Sequence, residues 1–144
     1  METAILEKIK KLIDVADFKG AEFSVDEEHR KILFIIDDRV VREYVSVFLP
    51  ALDHVLGLIF HKEGAEPFVV DVNYYRRERE RLISELARAA GKKAILTKQD
   101  VELPPMNSYE RRLVHVEITT HPELRTESFG RGKERRVIIK RIEE

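Results

Sequence analysis

The chain has 144 residues, of which 43% are apolar and 37% are charged. This composition predicts a folded, water-soluble protein of one ordinary domain or two small ones and excludes a disordered chain. The absence of cysteine excludes disulfides, thiol nucleophiles and thiolate zinc sites. No apolar run approaches the ~18 to 20 residues of a membrane span, and the first residues mix acids and bases, unlike a signal peptide. We therefore predict a cytoplasmic location.

Charge is unevenly distributed along the chain. Residues 1–73 carry 9 Lys and Arg against 15 Asp and Glu, a net charge of -6, whereas residues 74–144 carry 17 against 12, a net charge of +5. Such asymmetry can indicate a polyanionic partner for the basic half, although solvent-exposed faces are often charged without binding anything. The same point is the predicted domain boundary, giving domains 1–73 and 74–144.

The first half is predicted to contain six elements. Apolar residues spaced three and four apart predict a helix over residues 2–16, and AEFSV with RKILFIID predicts a β-hairpin around the turn DEEH. RVVREYVSVFL and PALDHVLGLIF predict two helices separated at Pro50, because proline suits the first turn of a helix. EPFVVDVN predicts a short buried strand.

The second half is predicted to contain five elements. YYRRERERLISELARAAG predicts a helix that ends at Gly91, and KKAILTKQ predicts a short β stretch. The prolines of VELPPM precede another helix, and LRTESF and RRVIIKRI predict two strands separated by GRGKE. The complete order, α-β-β-α-α-β and then α-β-α-β-β, predicts an α+β fold with two small cores.

The helix that begins near Asn107 is the first candidate for a binding site. Asn107 is a favourable cap, and Glu110 can return a hydrogen bond to the amide of the cap, so NSYE predicts a capping box. One quadrant of this helix collects side chains whose donors match phosphate oxygens, with apolar residues on both flanks. These side chains are those of Arg111, Arg112, His115 and Thr119. The alternative is an exposed ion pair beside a histidine at the edge of the core.

A family resemblance supports the binding hypothesis. LPPMNSYERRLVHVEITTHPELRTESFGRGKERRVIIK resembles the nucleic-acid-binding domain named for an arginine and a histidine separated by three residues (R-three-H), here Arg111 and His115. FVVDVNYYRRERERLISELARAAGKKA resembles the junction between a KH domain and this module in the bacterial Jag (SpoIIIJ-associated) family. The resemblance implies a type II KH-like domain at 1–73, an R-three-H domain at 74–144, and binding of single-stranded RNA or DNA, with RNA favoured.

Two departures from the family pattern bear on the first half. A type II KH domain grips nucleotides with a G-x-x-G loop, because only glycine allows the phosphate backbone to approach so closely. Ser46, Val47, Phe48 and Leu49 occupy the corresponding positions here. We predict that this half has lost its usual RNA site and that Val47, Phe48 and Leu49 form a packing or dimerisation surface. The extra N-terminal domain of Jag proteins is also expected to be absent.

The candidate binding residues form two groups. The first consists of Arg111, Arg112 and His115 on the helix. The second surrounds the basic loop before the last strand and comprises Arg125, Arg131, Lys133, Arg135 and Arg136. Tyr109 and Phe129 are candidate stacking platforms for bases, with a place in the core as the alternative for each.

Two further hypotheses concern partners and catalysis. The chain could be a protein-interaction adaptor that associates with itself or, as the resemblance implies, with a second KH-domain protein. A metal-assisted nuclease using His54 and His61, or His115 and His121, is disfavoured because these pairs have no recognised ligand spacing. We therefore predict no catalytic residues, no metal and no cofactor.

Overall fold

The computed structural model describes residues 1–142 and divides them into two compact units, Met1–Arg77 (unit 1) and the residues from Glu78 onward (unit 2). Unit 1 contains the elements in the predicted order α-β-β-α-α-β. They are α1 (Thr3–Ala16), β1 (Ala21–Asp26), β2 (Lys31–Ile36), α2 (Arg39–Glu43), α3 (Val45–Lys62) and β3 (Val69–Val72). The strands form a sheet in the order β1-β2-β3, in which β2 is antiparallel to β1 and parallel to β3.

The core of unit 1 lies between this sheet and helices α1 and α3. Every second residue of β2 and β3 is buried, as period-two alternation requires for a sheet covered on one face. Ile5 and Ile9 of α1 and Leu56 and Phe60 of α3 are almost fully buried against them. The buried strand residues are Ile32, Phe34, Ile36, Val70 and Val72.

The predicted helix boundary at Pro50 is wrong. The two helices meet at Tyr44, whose backbone leaves the helical region, and Pro50 lies inside α3. Proline has no amide hydrogen, so one hydrogen bond in the second turn of α3 is missing, but the apolar face of the helix is buried on both sides of that position. Burial of the continuous apolar face therefore outweighs the local effect of proline.

This change of boundary also corrects the predicted interaction surface. Leu49 is buried in the core, and Phe48 packs edge-on against Phe18 with ring centroids 5.2 Å apart. Of the three predicted residues, Val47 alone is strongly exposed. Within residues 1–142, α3 is the one helix whose length and apolar composition would suffice to cross a membrane, a test that core helices also pass.

The elements of unit 2 follow the order α-β-α-β-β, but the first strand lies after KKAILTKQ, the segment in which it is predicted. They are α4 (Tyr75–Thr97), which begins just before the unit boundary, β4 (Val101–Glu102), α5 (Ser108–Ile118), β5 (Leu124–Phe129) and β6 (Arg136–Arg141), with a short 3-10 turn at Gly132–Glu134. The sheet has the order β4-β6-β5, and both pairings are antiparallel. The core of unit 2 comprises Ile83, Ala87, Ala90 and Ala94 of α4, Val114 and Ile118 of α5, and Leu103, Met106, Leu124, Val137 and Ile139.

The predicted end of α4 at Gly91 and the β stretch at KKAILTKQ are both wrong, because α4 continues to Thr97. Gly91 is buried, and a Cβ atom there would lie 3.2 Å from Ile118 Cδ1 and 3.3 Å from Leu124 Cδ1. The glycine therefore permits a close approach of α4 to the rest of the core instead of ending the helix.

Candidate nucleic-acid interface

The capping box predicted at the start of α5 is confirmed. The amide of Glu110 donates a hydrogen bond of 2.8 Å to Asn107 Oδ1, and the amide of Asn107 donates one of 3.3 Å to Glu110 Oε1. This arrangement satisfies backbone donors that the first helical turn would otherwise leave unpaired. The orientation of the side chains that follow is therefore fixed by a defined helix start.

The side chains of Arg111, Arg112, His115 and Thr119 form a cationic strip on α5, and the apolar residues on its two flanks are predicted to be buried. The burial is complete on one flank only. Val114 and Ile118 are buried in the core, as expected. On the other flank Val116 is 60% exposed and Tyr109 is 49% exposed, with the Tyr109 hydroxyl donating to Glu80 at 2.8 Å. Leu113, the third apolar residue of this flank, is partly buried against the core, so the predicted burial holds here for one residue of three and the strip adjoins solvent on this side.

Arg111 is half-buried and contacts the backbone. Its Nη1 donates a hydrogen bond of 2.6 Å to the carbonyl oxygen of Met106. Among the ion pairs within residues 1–142, none involves Arg111. Because a guanidinium carries five N–H donors, this contact holds the group in place and leaves donors for an anionic ligand.

His115 lies one turn further along α5 and faces strand β5. Its Nδ1 is hydrogen-bonded to the hydroxyl of Thr126, and its Nε2 lies 3.3 Å from the hydroxyl of Ser128. Partial burial, and secondarily the positive charge of Arg111, lower the pKa of the imidazole below its ordinary value. Burial therefore disfavours the charged form of the imidazole, and both ring nitrogens are directed to hydroxyl groups.

This environment predicts a pH dependence of stability. Because the pKa of His115 is lower in the folded than in the unfolded protein, the unfolded chain binds more protons in the interval just below about pH 6.5. We expect the free energy of unfolding to fall as the pH decreases through that interval. Denaturant unfolding of the wild type and of His115→Gln at pH 5.5 and 7.5 tests this, and an equal pH effect in both proteins would contradict it.

A chain of hydrogen bonds connects Arg111 to the basic loop, residues 130–135. The amide of Met106, whose carbonyl binds Arg111, donates to the carbonyl of Arg135 at 3.1 Å. Arg135 Nη1 in turn donates to the carbonyl of Gly130 at 2.8 Å and closes the loop. Gly130 has a φ of 93°, and a Cβ atom there would lie 2.9 Å from the carbonyl oxygen of Glu134, so this tight loop requires glycine.

The remaining predicted arginines and lysines fall into two classes. Arg112, Arg131 and Lys133 are exposed, and no hydrogen bond or ion pair of their side chains exists within residues 1–142. Arg125 instead pairs with Glu127, and Arg136 pairs with Glu102 at 2.8 Å and with Glu134 at 3.3 Å.

The paired arginines lie on the open face of the sheet, away from the helices. Strand alternation puts Leu124, Thr126 and Ser128 on the helix side and Arg125, Glu127 and Phe129 on the other side. Hydrogen bonds from Lys140, and then from Arg125, lower the pKa of Glu127 on this face, so these two cations already have a carboxylate partner. Phe129 is 63% exposed, so its predicted alternative place in the core is wrong.

Sequence reasoning missed three groups that build the site. These are the hydroxyls of Thr126 and Ser128 and the carbonyl of Met106. The alternation of LRTESF could have indicated that Thr126 and Ser128 share one face of a strand, but their contact with His115 depends on tertiary packing. No group of three or more His, Asp or Glu residues able to hold a metal ion occurs in the described part of the chain.

Comparisons with known proteins find relatives that bind RNA and a domain family within unit 2. The chain is 37% identical over 91 residues to RNA-binding protein KhpB of Lactiplantibacillus plantarum, covering 62% of this chain and 28% of the relative. It is 33% identical over 93 residues to RNA-binding protein KhpB of Clostridium symbiosum (63% and 42%), and 32% identical over 72 residues to that of Bacillus subtilis (49% and 35%). The chain thus spans less than half the length of these relatives. The family model of the R-three-H domain matches residues 81–141, a segment that contains Arg111 and His115.

Proposed function

We propose that the chain binds single-stranded nucleic acid, with RNA as the preferred ligand, through α5 and the basic loop. The observation that carries this proposal is the guanidinium of Arg111, anchored on a backbone carbonyl next to His115 and free of carboxylates within the described chain. The R-three-H match of residues 81–141 and the name "RNA-binding" of the relatives support it. The chain acts as a binding protein, without catalytic chemistry.

Phosphate contacts supply most of the affinity in this mechanism. Arg111 presents a positioned fork of donors, and Arg112, Arg131 and Lys133 add charges that carboxylates do not neutralise in residues 1–142. Each phosphate bound by a cation releases condensed counterions, so affinity for a single strand falls as salt increases. Arg135 closes the loop and is a positioning residue, whereas Arg125 and Arg136 are partly satisfied by their own carboxylate partners.

The experiment that tests this function is a fluorescence anisotropy titration of labelled single-stranded RNA at several KCl concentrations. We expect Arg111→Ala/His115→Ala to weaken binding at least tenfold across unrelated sequences, because phosphates carry no sequence information. Arg88→Ala is a control for the arginine, since Arg88 pairs with Glu117 at 3.0 Å on the surface of unit 2. Wild-type affinity of the double variant at every salt concentration would refute the assignment.

We further propose that unit 1 is a type II KH-like domain of the Jag kind, that its G-x-x-G loop has degenerated, and that the protein is cytoplasmic. The element order and the mixed three-stranded sheet support the KH-like assignment. A single residue, Tyr44, separates α2 from α3, and no glycine occurs between Gly20 and Gly57. The junction therefore lacks the glycines that a phosphate backbone needs for close approach.

A second candidate function is self-association through unit 1. An apolar stripe of exposed side chains runs along α2 and α3 at helical spacing, and Asp53 is the single acidic or basic residue between Val45 and Phe60 apart from histidine. The stripe consists of Val40, Tyr44, Val47, Val55 and Leu58. An exposed apolar stripe can pack against its own symmetry-related copy, so a second copy of this chain is the proposed occupant.

Sedimentation velocity tests the second candidate directly. We expect the wild type to sediment as a concentration-dependent dimer and Leu58→Asp to sediment as a monomer, because the substitution places a charge within the apolar contact. Leu96→Asp is the matched control, since Leu96 is 81% exposed on α4 of unit 2. A wild type that remains monomeric at all concentrations would exclude self-association, as would dissociation caused equally by both variants.

A further inference from the structure

Strand β5 has a free edge beside the candidate interface. In the sheet order β4-β6-β5, it pairs with β6 on one side and has no strand on the other within residues 1–142. Its residues Thr126 and Ser128 are the two whose hydroxyls contact His115. The edge therefore adjoins the histidine that is one turn from Arg111.

The register determines which backbone groups point out of this edge. The amide of Ile142 donates to the carbonyl of Glu123 at 2.8 Å, which makes the next pair, Leu124 with Arg141, a pair without mutual hydrogen bonds. Antiparallel pairs alternate in this respect, so Thr126 and Ser128 also belong to non-hydrogen-bonded pairs. Their N–H and C=O groups therefore point away from β6.

These outward groups have no partner in the described chain. No backbone or side-chain hydrogen bond to the N–H or C=O of Thr126 or Ser128 occurs among residues 1–142. Two alternating residues on one strand are about 6.7 Å apart, so the edge offers a short row of donors and acceptors. Unpaired strand edges are sites to which another chain can add its own hydrogen-bonding groups.

Charge favours a nucleic acid over a polypeptide at this edge. The basic loop begins two residues after Ser128 and carries Arg131 and Lys133, both without carboxylate partners in the described residues. Arg111 is connected to the same loop through Met106 and Arg135. A single-stranded nucleic acid whose phosphates contact these cations would have its sugars and bases alongside β5.

We infer that the free edge of β5 distinguishes RNA from DNA, with the outward carbonyl groups of Thr126 and Ser128 accepting hydrogen bonds from ribose 2′-hydroxyls. This inference rests on the proposed single-strand binding and adds a specificity determinant to it. The 2′-hydroxyl is the group by which a protein recognises RNA at a given site, and an outward carbonyl oxygen is a suitable acceptor for it. Each such hydrogen bond contributes about two- to tenfold in affinity.

The test uses the wild-type protein and four oligonucleotides of one sequence: ribose, 2′-deoxy, 2′-fluoro and 2′-O-methyl. The 2′-fluoro strand keeps an RNA-like sugar conformation but has no hydroxyl hydrogen. We expect the ribose strand to bind about tenfold more tightly than each of the other three. Equal binding of the ribose and 2′-fluoro strands would overturn the inference, because sugar conformation would then explain any preference for RNA.

A matched pair of variants locates the effect on the strand edge. An edge strand tolerates proline at a position whose backbone nitrogen points to solvent. Ser128→Pro should therefore keep the hydrogen bonds between β5 and β6, while the proline ring obstructs access to the free edge of β5. We expect Ser128→Pro to reduce the ratio of ribose to deoxyribose affinity about fivefold. Ser128→Ala removes the hydroxyl that contacts His115, so its overall affinity falls, but it leaves the outward carbonyl in place and should keep that ratio unchanged. Circular dichroism and thermal unfolding test whether both variants are folded. If Ser128→Pro is unfolded, the binding of the four oligonucleotides to the wild type decides whether the 2′-hydroxyl is recognised.

Different results would refute single-strand binding and the role of the β5 edge. If the chain binds no single strand at low salt, the function itself is wrong. If it binds ribose and deoxyribose strands equally in a salt-dependent manner, the function stands and the role of the edge is refuted. A Ser128→Pro variant with changed oligomeric state and unchanged ribose preference would assign the edge to a protein partner and would also refute it.

Discussion

Replacing Arg112, Arg131 and Lys133 together by alanine should weaken binding of single-stranded RNA about 100-fold at 0.1 M salt. For single strands, the logarithm of the binding constant falls by about 0.7 per tenfold increase in salt for each phosphate neutralised. Three such contacts therefore contribute a slope of about -2. Relative to 1 M salt, where this contribution vanishes, that slope corresponds to roughly two orders of magnitude. The three side chains are exposed and have no carboxylate partner among residues 1–142, so they retain their charge for a ligand.

The matched control removes three positive charges that already have carboxylate partners. Arg125 and Lys140 pair with Glu127, and Arg136 pairs with Glu102 and Glu134, all in unit 2. The triple alanine variant of these residues loses the same formal charge, and we expect less than a tenfold loss of affinity. Equal losses for the two triple variants would show that net charge governs binding and that the location of the cations does not.

Gly91→Leu should destabilise unit 2 by about 1 to 3 kcal/mol or more, because overpacking a close helix contact forces its neighbours apart. The Cβ atom alone would lie 3.2 Å from Ile118 Cδ1 and 3.3 Å from Leu124 Cδ1, and leucine adds three further carbons beyond it. For a unit of 60–100 residues, each kcal/mol corresponds to about 4–8 °C in Tm. Thermal unfolding followed by circular dichroism measures the change.

Gly57→Ala is the control for this prediction and should have the opposite sign. Gly57 is helical in α3, and a Cβ atom there would meet nothing within 4 Å. Alanine should therefore stabilise unit 1 by about 0.5–1 kcal/mol through its higher helix propensity. An increase in Tm for Gly91→Leu, or a large decrease for Gly57→Ala, would contradict the packing described for the two glycines.

Local sequence signals predicted the parts of the fold that local physics determines. The capping box of Asn107 and Glu110 involves residues three apart, and the structure contains it as predicted. At Pro50 and Gly91 the sequence prediction is wrong, because tertiary packing overrides the local tendency of proline and glycine to end a helix. The apolar face of α3 is buried on both sides of Pro50, and the small size of Gly91 is what the core requires.

The candidate site was predictable as a set of residues but not as a charge distribution. Helical spacing correctly grouped Arg111 with His115, whereas Arg125 and Arg136 are distinguished from the other cations by carboxylates that the register brings to them. Glu102 lies 34 positions from Arg136 in sequence, so no local pattern reveals this pair. The hydroxyls that hold His115 are likewise 11 and 13 positions away.

Binding of single-stranded RNA through α5 and the basic loop is tested most directly by an amide NMR titration of the whole chain at low salt. We expect the largest chemical-shift changes in α5, at Thr126 and Ser128, and in residues 130–135. The opposite face of the same sheet, at Arg125, Glu127 and Lys140, should change much less. Changes concentrated on that opposite face, or confined to unit 1, would contradict single-strand binding through α5 and the basic loop.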